Sequence, residues 1–408
     1  MRPEFHFTPV AGWINDPHGA HHRDGEYHVF FQHLPDRTTW SHEMRWGHAK
    51  GPDLLSLEQL PNAIEPGDGD GGAWTGSLLV DGADARIFYT SASAPDHDLG
   101  RVRVATPDAP DWVAWTKGPF VVDTPDDMAH FRDPWVFRDG EGWSMILSGR
   151  HRDGRAALVA YRSEDRETWT HLGAALRPDG GAGVPQTRST LWECPQLFQI
   201  DGRDVLILSG DDEDGRYVGY AVGRWADGRF DAQHWGRLTF GGRHYAPTFL
   251  RDAHGRPTLV FWLQDIHGDG WAGAHSIPYL VALDGDELVL EPHPDLERHR
   301  SAEARTDAAS SAADIVWAAE PGAELSIAAV AGEIAKLHLA DGRLVIETPS
   351  QSSTLPAGGA VRVILDGPVL EIATARGVYG AQIEASRRYV LTGDLASVQS
   401  HALSRSHD

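Results

Sequence analysis

The apolar positions of the chain recur in short extended runs, and the pattern repeats about every 58 residues over the first 290 residues. In each of five segments, an aromatic and polar motif opens the segment and apolar runs follow on both sides of a turn. The turns begin at Asp24, Asp81, Asp139, Asp201 and Asp252, so successive turns are 57, 58, 62 and 51 residues apart. The first four turns are Asp-Gly. Asp-Gly between two apolar runs is a strong hairpin signal. The pattern therefore predicts five repeated antiparallel β units.

Three to four strands in each of five units are typical of a five-bladed β-propeller, in which the blades surround a central channel. The first strand of each blade is the innermost one, so we expect the five opening motifs to converge on one pocket. A long β-sandwich or a solenoid is the alternative for the same pattern. The fold class is all-β, and we assign residues 1–291 to the propeller.

The pattern changes after Glu291. Residues 292–313 are polar with an Ala-rich stretch, and we interpret them as a linker that holds most of the helix in the chain, near residues 301–313. Residues 314–408 return to short strand-like runs separated by turns, which predicts a small C-terminal β-sandwich. Ionisable and aromatic residues form no dense cluster there, so we expect this domain to be structural.

The amino-acid composition limits the kinds of molecule that the protein is expected to bind. The chain has 36 Lys and Arg against 59 Asp and Glu, and its net charge of −23 argues against nucleic acid and anionic membranes. Cys194 is the only cysteine, so an intrachain disulfide is excluded. The start of the chain lacks the pattern of a signal peptide, and no apolar run is long enough to span a bilayer. We therefore expect a cytoplasmic protein.

Three of the five opening motifs carry a carboxylate, at Asp16, Asp133 and Glu193. Each motif alone is typical of a turn or a surface ion pair. The three carboxylates share one phase of the repeat but differ in their neighbours, which favours divided roles over a repeated structural one. Carboxylates beside aromatic rings are what cleavage of a glycosidic bond requires, one as an acid and one as a nucleophile or base.

At these residues the chain resembles glycoside hydrolase family 32, the β-fructosidases that include invertases, inulinases and levanases. The stretch from Arg2 to Pro17 is similar to the family signature. Further matches follow in the family's order: Phe30-Phe31-Gln32, Trp46-Gly47-His48-Ala49, Trp74-Thr75-Gly76-Ser77, Arg132-Asp133-Pro134, Glu193-Cys194-Pro195, Tyr245-Ala246-Pro247, Trp271-Ala272-Gly273-Ala274 and Val361 to Glu371. The resemblance covers nearly the whole chain.

The resemblance implies a five-bladed propeller with a C-terminal β-sandwich, and retaining hydrolysis of β-D-fructofuranosides through a covalent fructosyl-enzyme. It implies that Asp16 is the nucleophile, that Glu193 is the acid/base, and that Asp133 stabilises the transition state. The implied substrate-binding residues are Asn15, Gln32, Trp40, Ser77 and Arg132 around the fructosyl group, with Trp46, Trp74 and Trp262 as aromatic walls. No metal or organic cofactor is implied.

Several residues carry further expectations. Arg132 is expected to keep its neighbour Asp133 ionised. His18 and Gln196 depart from the family pattern, where Asn and Asp are usual, and both bear on substrate preference and pH optimum. We interpret His18 either as a group that titrates near neutrality or as a solvated turn residue. His42 and His48 lie six residues apart, which is not a zinc-binding spacing, so we predict no metal site.

The leading hypothesis is a β-fructofuranosidase that acts on sucrose and short fructo-oligosaccharides. The alternatives are a fructosyltransferase or fructan-specific enzyme with the same intermediate, and a sugar-binding propeller without catalysis, which has no need of all three carboxylates. Sucrose 6-phosphate as substrate would require a basic group near the pocket, for which Arg37 and Arg188 are the options. The expected partners are therefore small fructosides, with no nucleic acid and no membrane.

Overall fold

The computed structural model of this protein describes residues 1–176, 191–213 and 215–405. Its first part consists of five antiparallel blades. The first blade contains β1 (Gly12–Arg23), β2 (Glu26–Leu34), β3 (Arg45–Gly51) and β4 (Glu58–Ile64). The second contains β5 (Gly72–Asp81), β6 (Asp84–Ala92), β7 (Arg101–Pro107) and β8 (Trp115–Val122). The third contains β9 (Met128–Asp139), β10 (Gly142–His151), β11 (Ala156–Ser163) and β12 (Thr170–Leu176).

The fourth blade contains β13 (Glu193–Ile200), β14 (Arg203–Asp212), β15 (Gly215–Ala226) and β16 (Arg229–Arg237), and the two-residue strand β17 (Thr239–Phe240) follows it. The fifth contains β18 (His244–Arg251), β19 (Pro257–Gly268), β20 (Trp271–His275), β21 (Tyr279–Asp284) and β22 (Glu287–Pro292). First strands of neighbouring blades contact one another around the whole ring, including β18 with β1. The predicted five-bladed propeller is therefore confirmed.

The ring closes through β20. This strand pairs antiparallel with β19 of the last blade and parallel with β1 of the first, where Gly12 and Trp13 lie opposite Trp271 and Ala272. The backbone N–H of Gly12 also donates to the carbonyl of Gly270 over 2.9 Å. The first and last blades are consequently one continuous sheet, which covers the edges that an open ring would leave unpaired.

The predicted hairpins form at the Asp-Gly positions, with two different alignments. Asp24 and Asp201 have φ values of 51° and 50°, and each forms a two-residue loop with its following glycine, as a type I′ turn requires. In the second and third blades the loops are Gly82-Ala83 and Gly140-Glu141, so the aspartate is the last strand residue. The repeated sequence pattern thus predicts the hairpins, but the loop begins one residue later in the second and third blades than in the first and fourth.

Each first strand also contains a β-bulge at its opening motif. The pairing shifts between Ile14 and Pro17, Trp74 and Gly76, Arg132 and Trp135, Glu193 and Gln196, and Tyr245 and Thr248. A bulge leaves an extra residue outside the ladder and redirects its side chain. The bulges therefore explain how residues of five central strands can point out of the regular pleat at the same end of the ring.

The second part is a sandwich of two sheets. Its strands are β23 (Arg300–Arg305), β24 (Ala308–Ser310), β25 (Ala312–Trp317), β26 (Glu324–Ala329), β27 (Gly332–Ala340), β28 (Arg343–Glu347), β29 (Ser352–Pro356), β30 (Val361–Asp366), β31 (Val369–Thr374), β32 (Gly377–Gln382), β33 (Arg388–Gly393) and β34 (Val398–Leu403). One sheet has the order β17-β32-β31-β30-β25-β34-β23 and the other β24-β33-β26-β27-β28-β29. The predicted C-terminal sandwich is confirmed, and it receives one strand, β17, from the propeller part of the chain.

The helix expected near residues 301–313 is wrong. These residues form β23 and β24 and the beginning of β25, and they pair with β34, β33 and β30 in the two sandwich sheets. Among the described residues the helical segments are two short 3₁₀ turns, Pro294–His299 and Leu395–Ser397. Pairing with distant strands satisfies the backbone of this Ala-rich segment, and it outweighs the local preference of alanine for helix.

The two parts share apolar packing. One buried cluster joins propeller residues such as Phe5, Ile207 and Phe261 to Ile364 and Val378 of the sandwich. A separate cluster between the sandwich sheets includes Trp317, Leu337, Tyr379 and Tyr389. The sandwich is thus packed directly against the fourth and fifth blades rather than held by a free linker.

Candidate functional site

A cavity of about 400 Å³ lies where the first strands of the blades converge. Its wall consists of Trp13, Asn15, Asp16, Gln32, Trp40, Trp74, Thr75, Arg132, Asp133, Glu193, Cys194, Arg216, Tyr245, Trp262, Gln264 and Asp265. All five blades contribute to it, and the predicted carboxylates Asp16, Asp133 and Glu193 are brought together. The convergence expected from the repeat phase is therefore what the structure shows.

Asp16 lies at the bulge of β1, and its carboxylate is held by residues of the second and fourth blades. Oδ2 accepts a hydrogen bond from the Thr75 hydroxyl at 2.7 Å, and the Cys194 thiol points to the same oxygen at 3.6 Å. Burial raises the pKa of the Asp16 carboxyl, while hydrogen bonds from Asn15 and Thr75 lower it and the charge of Glu193 raises it. Burial, followed by the nearby carboxylates, raises the pKa of the Cys194 thiol, so the thiol stays protonated and donates.

Asp133 is 5% exposed and has a left-handed backbone, with φ of 59°. Its Oδ2 accepts from the backbone N–H of Cys194 at 3.0 Å and from the Ser148 hydroxyl at 3.2 Å. Its own N–H donates to Thr90 Oγ1 at 2.8 Å, which holds the bulge of β9 against the second blade. Backbone and side chain are thus both fixed, a degree of ordering that is common at functional sites.

The expectation that Arg132 keeps Asp133 ionised is not met. Burial raises the pKa of Asp133 to about 7, with Arg132 lowering it and Glu193 and Asp16 raising it. Removing a carboxylate from water is the larger effect here, because Arg132 is shared with other acidic groups. Its Nη2 lies 2.9 Å from Asp98 Oδ1, and its Nη1 lies 3.7 Å from Glu193 Oε1.

Glu193 begins β13 and has a different environment from the two aspartates. Its side chain is 24% exposed, and its Oε2 accepts a hydrogen bond from the Tyr245 hydroxyl at 2.7 Å. Burial, followed by the charge of Glu193, raises the pKa of the Tyr245 phenol well above its usual value, so Tyr245 remains a proton donor. One carboxylate of the site is therefore partly open to solvent, while Asp133 is closed off.

Aromatic rings surround the carboxylates. Trp13 and Trp262 meet edge to face at 5.9 Å, and Trp13 Nε1 donates to Asn15 Oδ1 at 2.9 Å. On another wall Trp74 contacts Trp40, whose ring is 47% exposed, and the guanidinium of Arg132 lies 5.1 Å from the Trp74 ring. Gln32 is buried, and its Nε2 donates to the Ala73 carbonyl at 3.2 Å, which aligns its amide. Of the eight predicted substrate-binding residues, Asn15, Gln32, Trp40, Trp74, Arg132 and Trp262 line the cavity.

Trp46 and Ser77 do not line it, contrary to the prediction. Both are fully buried behind the wall. Trp46 Nε1 donates to the carbonyl of Trp74 at 2.9 Å, and Ser77 Oγ accepts from the backbone N–H of Val136 at 3.0 Å. These two residues support neighbouring strands, since their side chains face the packing between blades rather than the central space.

The two departures from the family pattern are also buried. His18 is 1% exposed, and its ring centre lies 3.9 Å from that of Trp46. Burial lowers the pKa of His18 well below its usual value, so neither interpretation, near-neutral titration or a solvated turn, is correct. Gln196 Nε2 donates to the carbonyl of Pro247, and Gln196 Oε1 accepts from the N–H of Phe249, both at 2.6 Å. Gln196 thus joins the fourth and fifth blades.

Sequence reasoning assigned no role to several wall residues. Thr75, Cys194 and Tyr245 lie inside opening motifs, and this shared position in the repeat could have predicted that they line the cavity. Arg216, Gln264 and Asp265 lie outside those motifs, on β15 and β19. Arg216 donates to Gln264 Oε1, and its guanidinium lies 5.3 Å from the Tyr245 ring. No local pattern marks these three residues, because they reach the cavity only through the curvature of the blades.

Of the two arginines considered for a phosphorylated substrate, the structure describes Arg37. Arg37 pairs with Glu43 at 3.3 Å and with Asp36 at 3.5 Å and does not line the cavity. Arg188 lies outside the described residues.

Two negative findings apply to the part of the chain that the structure describes. Within it, His, Cys, Asp and Glu form no group of three or more placed to hold a metal ion. No helical segment there has the length and apolar character needed to cross a membrane.

Comparisons with known proteins find a family model and relatives that are similar to this chain. The family model described as "Glycosyl hydrolases family 32 N-terminal domain" matches residues 6–292. A sucrose-6-phosphate hydrolase of Zymomonas mobilis subsp. mobilis is 30% identical over 329 residues, which cover 74% of this chain and 64% of that protein. The chain thus spans less than two thirds of the length of that relative.

Solved structures agree in fold over nearly the whole chain. A Bombyx mori GH32 beta-fructofuranosidase mutant in complex with sucrose has a TM-score of 0.86 and 22% identity, covering 99% of this chain and 94% of that chain. A mutant of fructan 1-exohydrolase IIa from Cichorium intybus in complex with 1-kestose has a TM-score of 0.80 and 19% identity, covering 99% and 98%.

Proposed function

The chain belongs to glycoside hydrolase family 32, and we propose that it is a retaining β-fructofuranosidase. The proposed reaction removes terminal β-D-fructofuranosyl residues from sucrose and short fructo-oligosaccharides. The observation that carries the proposal is that Asp16, Asp133 and Glu193, from three blades, line one cavity with different partners. The proposed catalytic unit is residues 1–291. The sandwich strands begin at Arg300, inside the 292–313 segment that the sequence predicted as a linker, so we propose that the connection is the short stretch before Arg300.

In the first step, a carboxylate oxygen of Asp16 attacks the anomeric carbon of the fructosyl group. The bond from that carbon to the glycosidic oxygen breaks, and Glu193 gives its proton to the departing oxygen. In the second step Glu193 takes a proton from water, the water oxygen bonds to the anomeric carbon, and Asp16 leaves. Two displacements at one carbon preserve its configuration.

The surroundings of the two groups support this division. Asp16 must be ionised to attack, and hydrogen bonds from Thr75 and Asn15 favour its charged form against the effect of burial. Glu193 must exchange protons with substrate and water, and it is the partly exposed carboxylate, with Arg132 and Tyr245 orienting it. Asp133 is proposed to bind fructosyl hydroxyls and to stabilise positive charge at the anomeric carbon.

The test is incubation of the full chain with sucrose, 1-kestose, inulin and levan, with the products separated by chromatography. Release of free fructose from sucrose and 1-kestose at higher kcat/KM than from the polymers is the expected result. Nuclear magnetic resonance should detect β-fructofuranose as the first anomer formed. Elongated products would instead indicate a fructosyltransferase, and preference for a polymer would indicate a fructan-specific enzyme. Binding of sucrose without any product would support a non-catalytic propeller.

Sucrose 6-phosphate is a second candidate substrate, favoured by one observation. The exposed Arg216 lines the cavity and is available to bind an anionic leaving group. The relative from Zymomonas mobilis is named for this substrate. If this candidate is correct, Arg216→Gln should lower kcat/KM for sucrose 6-phosphate about tenfold or more and leave that for sucrose within about twofold, as a charged hydrogen bond of ~1.5–3 kcal/mol predicts.

A further inference from the structure

A buried carboxylate of the sandwich, Glu371 on β31, reaches into the propeller. It is 0% exposed and lies among four donors from three propeller segments. Its Oε1 accepts from His6 Nε2 at 2.7 Å and from the backbone N–H of Ile277 at 2.9 Å. Its Oε2 accepts from His244 Nε2 and from the Tyr279 hydroxyl at 3.0 Å.

The cluster is charged although it is buried. Burial raises the pKa of Glu371, but hydrogen bonds from His244 and His6 outweigh that effect and hold it at about 2. Burial lowers the pKa of His6, while hydrogen bonds to Asp366 and Glu371 raise it to about 9. The titratable groups around Glu371 come from three places. His6 lies in the N-terminal segment, His244 and Tyr279 lie near the start of the fifth blade and on its fourth strand, and the sandwich contributes Asp366, which pairs with His6, together with Asp314 and Arg362, which act on Tyr279. A paired buried charge of this kind holds its partners in one geometry.

One of these partners adjoins the cavity. His244 directly precedes Tyr245 at the start of β18. Successive side chains of a strand point to opposite faces, so His244 faces Glu371 while Tyr245 faces the cavity and donates to Glu193 Oε2 at 2.7 Å. The next residue, Ala246, has a φ of 40° and its N–H is bound by Ser209 Oγ at 3.1 Å. The beginning of β18 is therefore held on one side by the fourth blade and on the other by the sandwich.

A second connection leads toward the nucleophile. The residue after His6, Phe7, accepts a hydrogen bond at its carbonyl from the N–H of His275 at 2.9 Å. His275 Nε2 in turn lies 3.2 Å from the carbonyl oxygen of Asn15, the residue before Asp16. Glu371 is thus connected indirectly to both reacting carboxylates, through His244 and Tyr245 to Glu193 and through the His6 segment and His275 to the residue before Asp16.

We propose that Glu371 is a positioning residue for the acid/base Glu193, acting through His244 and Tyr245, and that the sandwich thereby takes part in assembling the site. The inference rests on the proposed role of Glu193. It predicts that loss of the Glu371 charge displaces Tyr245 from Glu193 Oε2, whereas loss of the neighbouring carboxylate Asp366 does not. The Asp366 side chain binds His6 and the backbone N–H groups of residues 4–6, and among the described residues it forms no hydrogen bond or ion pair with β18.

The experiment compares Glu371→Gln with Asp366→Asn in the full chain, on sucrose, as functions of pH. Glu371→Gln should lower kcat about ten- to a hundredfold with KM within about twofold, because a misplacement of ~1 Å can cost ~10²-fold. The alkaline limb of its kcat profile should move to higher pH, as it should in Tyr245→Phe, since both lose the donor to Glu193. Asp366→Asn should lower the melting temperature while kcat and the alkaline limb stay as in wild type.

A double-mutant cycle separates positioning from general damage. In a Tyr245→Phe background, Glu371→Gln should reduce kcat by less than about twofold, since the connection through Tyr245 is already lost. Multiplicative losses, or wild-type kcat and pH profile in Glu371→Gln, would overturn the proposal. If Glu371→Gln is recovered unfolded, His244→Gln replaces it in the same measurements of kcat and the alkaline limb. This variant breaks the connection to Tyr245 but leaves Glu371 paired with His6, Ile277 and Tyr279. Persistence of the alkaline limb in Glu193→Gln would reject the acid/base assignment itself, which is a separate failure.

Discussion

The backbone N–H of Cys194 donates a hydrogen bond to Oδ2 of Asp133 over 3.0 Å, from the first strand of the fourth blade to that of the third. The two residues are 61 positions apart and both have left-handed backbone, with φ of 48° and 59°. Each bulge is therefore held by its neighbour. Displacing the strand that carries Glu193 should also displace Asp133, so the carboxylates of the cavity are positioned as a set.

The first prediction concerns the nucleophile. Asp16→Asn should fold as wild type and lose sucrose turnover by at least about 10³-fold, because the amide cannot form the covalent intermediate. Steady-state kinetics and the melting temperature test this. Asp24→Asn, at an 81% exposed carboxylate in the adjoining hairpin, is the control and should retain full activity. Turnover of Asp16→Asn within about tenfold of wild type, a barrier change of only ~1.4 kcal/mol, would exclude the assignment.

The second prediction concerns the acid/base. Glu193→Gln should lose roughly 10²–10⁴-fold on sucrose, the usual effect of a positioned general acid. The loss should shrink for a fructoside with a strongly acidic leaving group, which departs without a proton. A fructosyl-enzyme on Asp16 should then accumulate and be visible by mass spectrometry of the intact chain.

The pH profile of the same variant gives an independent result. Glu193→Gln should lose the alkaline limb, and Glu43→Gln, at a 62% exposed carboxylate, should keep it. A limb that survives in Glu193→Gln would mean that another group supplies the proton. His18 would be a poor candidate for that group, because it is buried behind the cavity wall against Trp46.

The third prediction concerns the stability cost of Asp133. Its pKa is about 7 in the folded protein against 3.8 for an ordinary aspartate, so the folded state binds the proton more tightly than the unfolded state. Stability is then lost as pH rises from 3.8 through about 7. Asp133→Asn should be inactive yet more stable than wild type at pH 8, by up to about 4 kcal/mol at ~1.36 kcal/mol per pKa unit, with a gain that vanishes near pH 4.

Asparagine is a suitable probe at this position because it tolerates left-handed backbone. Thermal unfolding across pH 4–8 measures the effect. Asp70→Asn is the matched comparison, since Asp70 is buried but paired with Arg103 and Lys117, both at 3.2 Å. That substitution should destabilise the protein. A stability gain for Asp133→Asn that does not grow with pH would contradict the burial argument.

The fourth prediction concerns the charged cluster between propeller and sandwich. The pKa of His6 is raised from 6.5 to about 9, so its contribution to stability is complete below pH 6.5 and is lost as pH rises through 9. The pKa of Glu371 is lowered from 4.5 to about 2, so its contribution is complete above pH 4.5 and is lost as pH falls through 2. Both contributions are complete only between about pH 4.5 and 6.5.

The melting temperature of His6→Gln should therefore fall furthest below that of wild type near pH 5.5, and the difference should narrow toward pH 9. His254→Gln, at an exposed loop histidine, should match wild type throughout. A deficit of His6→Gln that is constant from pH 5.5 to 9 would show that the ring contributes by packing rather than by charge.

The fifth prediction concerns Trp46 and Trp262, which were both predicted from the sequence to be aromatic walls of the pocket. Trp262 lines the cavity, whereas Trp46 is fully buried behind it and donates to the Trp74 carbonyl. Trp262→Phe should raise KM for sucrose with little change in melting temperature. Trp46→Phe should lower the melting temperature, because the carbonyl loses its donor and the ring leaves a void, with KM within about twofold. A raised KM with an unchanged melting temperature in Trp46→Phe would instead indicate that Trp46 is a wall residue, as the sequence predicted.

Much of this protein was predictable because its information is local and repeated. The spacing of the five turns that begin with aspartate predicts five hairpin units, and all five appear as propeller blades. The phase of Asp16, Asp133 and Glu193 in those units predicts their convergence, since equivalent positions of a closed ring meet at its axis. Alternation and turn chemistry act over a few residues, so they can be read along the chain.

The predictions from sequence were wrong where contacts between residues distant in the chain outweighed the local sequence pattern. Residues 301–313 have a helical composition, yet they extend because β23 pairs with β34 and β24 with β33, whose paired residues lie at least 78 positions later in the chain. Ser77 shares a motif with the wall residues Trp74 and Thr75, but the bulge there turns Thr75 toward the cavity while Ser77 is buried in the packing between blades. Trp46, on β3, is buried in the same kind of packing.

Repetition along the chain was thus enough to predict the blades and the convergence of the three carboxylates, and the short strand-like runs after it were enough to predict the second all-β domain. Folding in three dimensions decided the rest: the Tyr245 bond to Glu193, the placement of Arg216 on the cavity wall, and the contact of Glu371 with His244 across 127 positions. The physical reason is that hydrogen bonding, burial and charge depend on distance in space. Which side chains share a low-dielectric interior is set only when the ring closes and the sandwich packs against it.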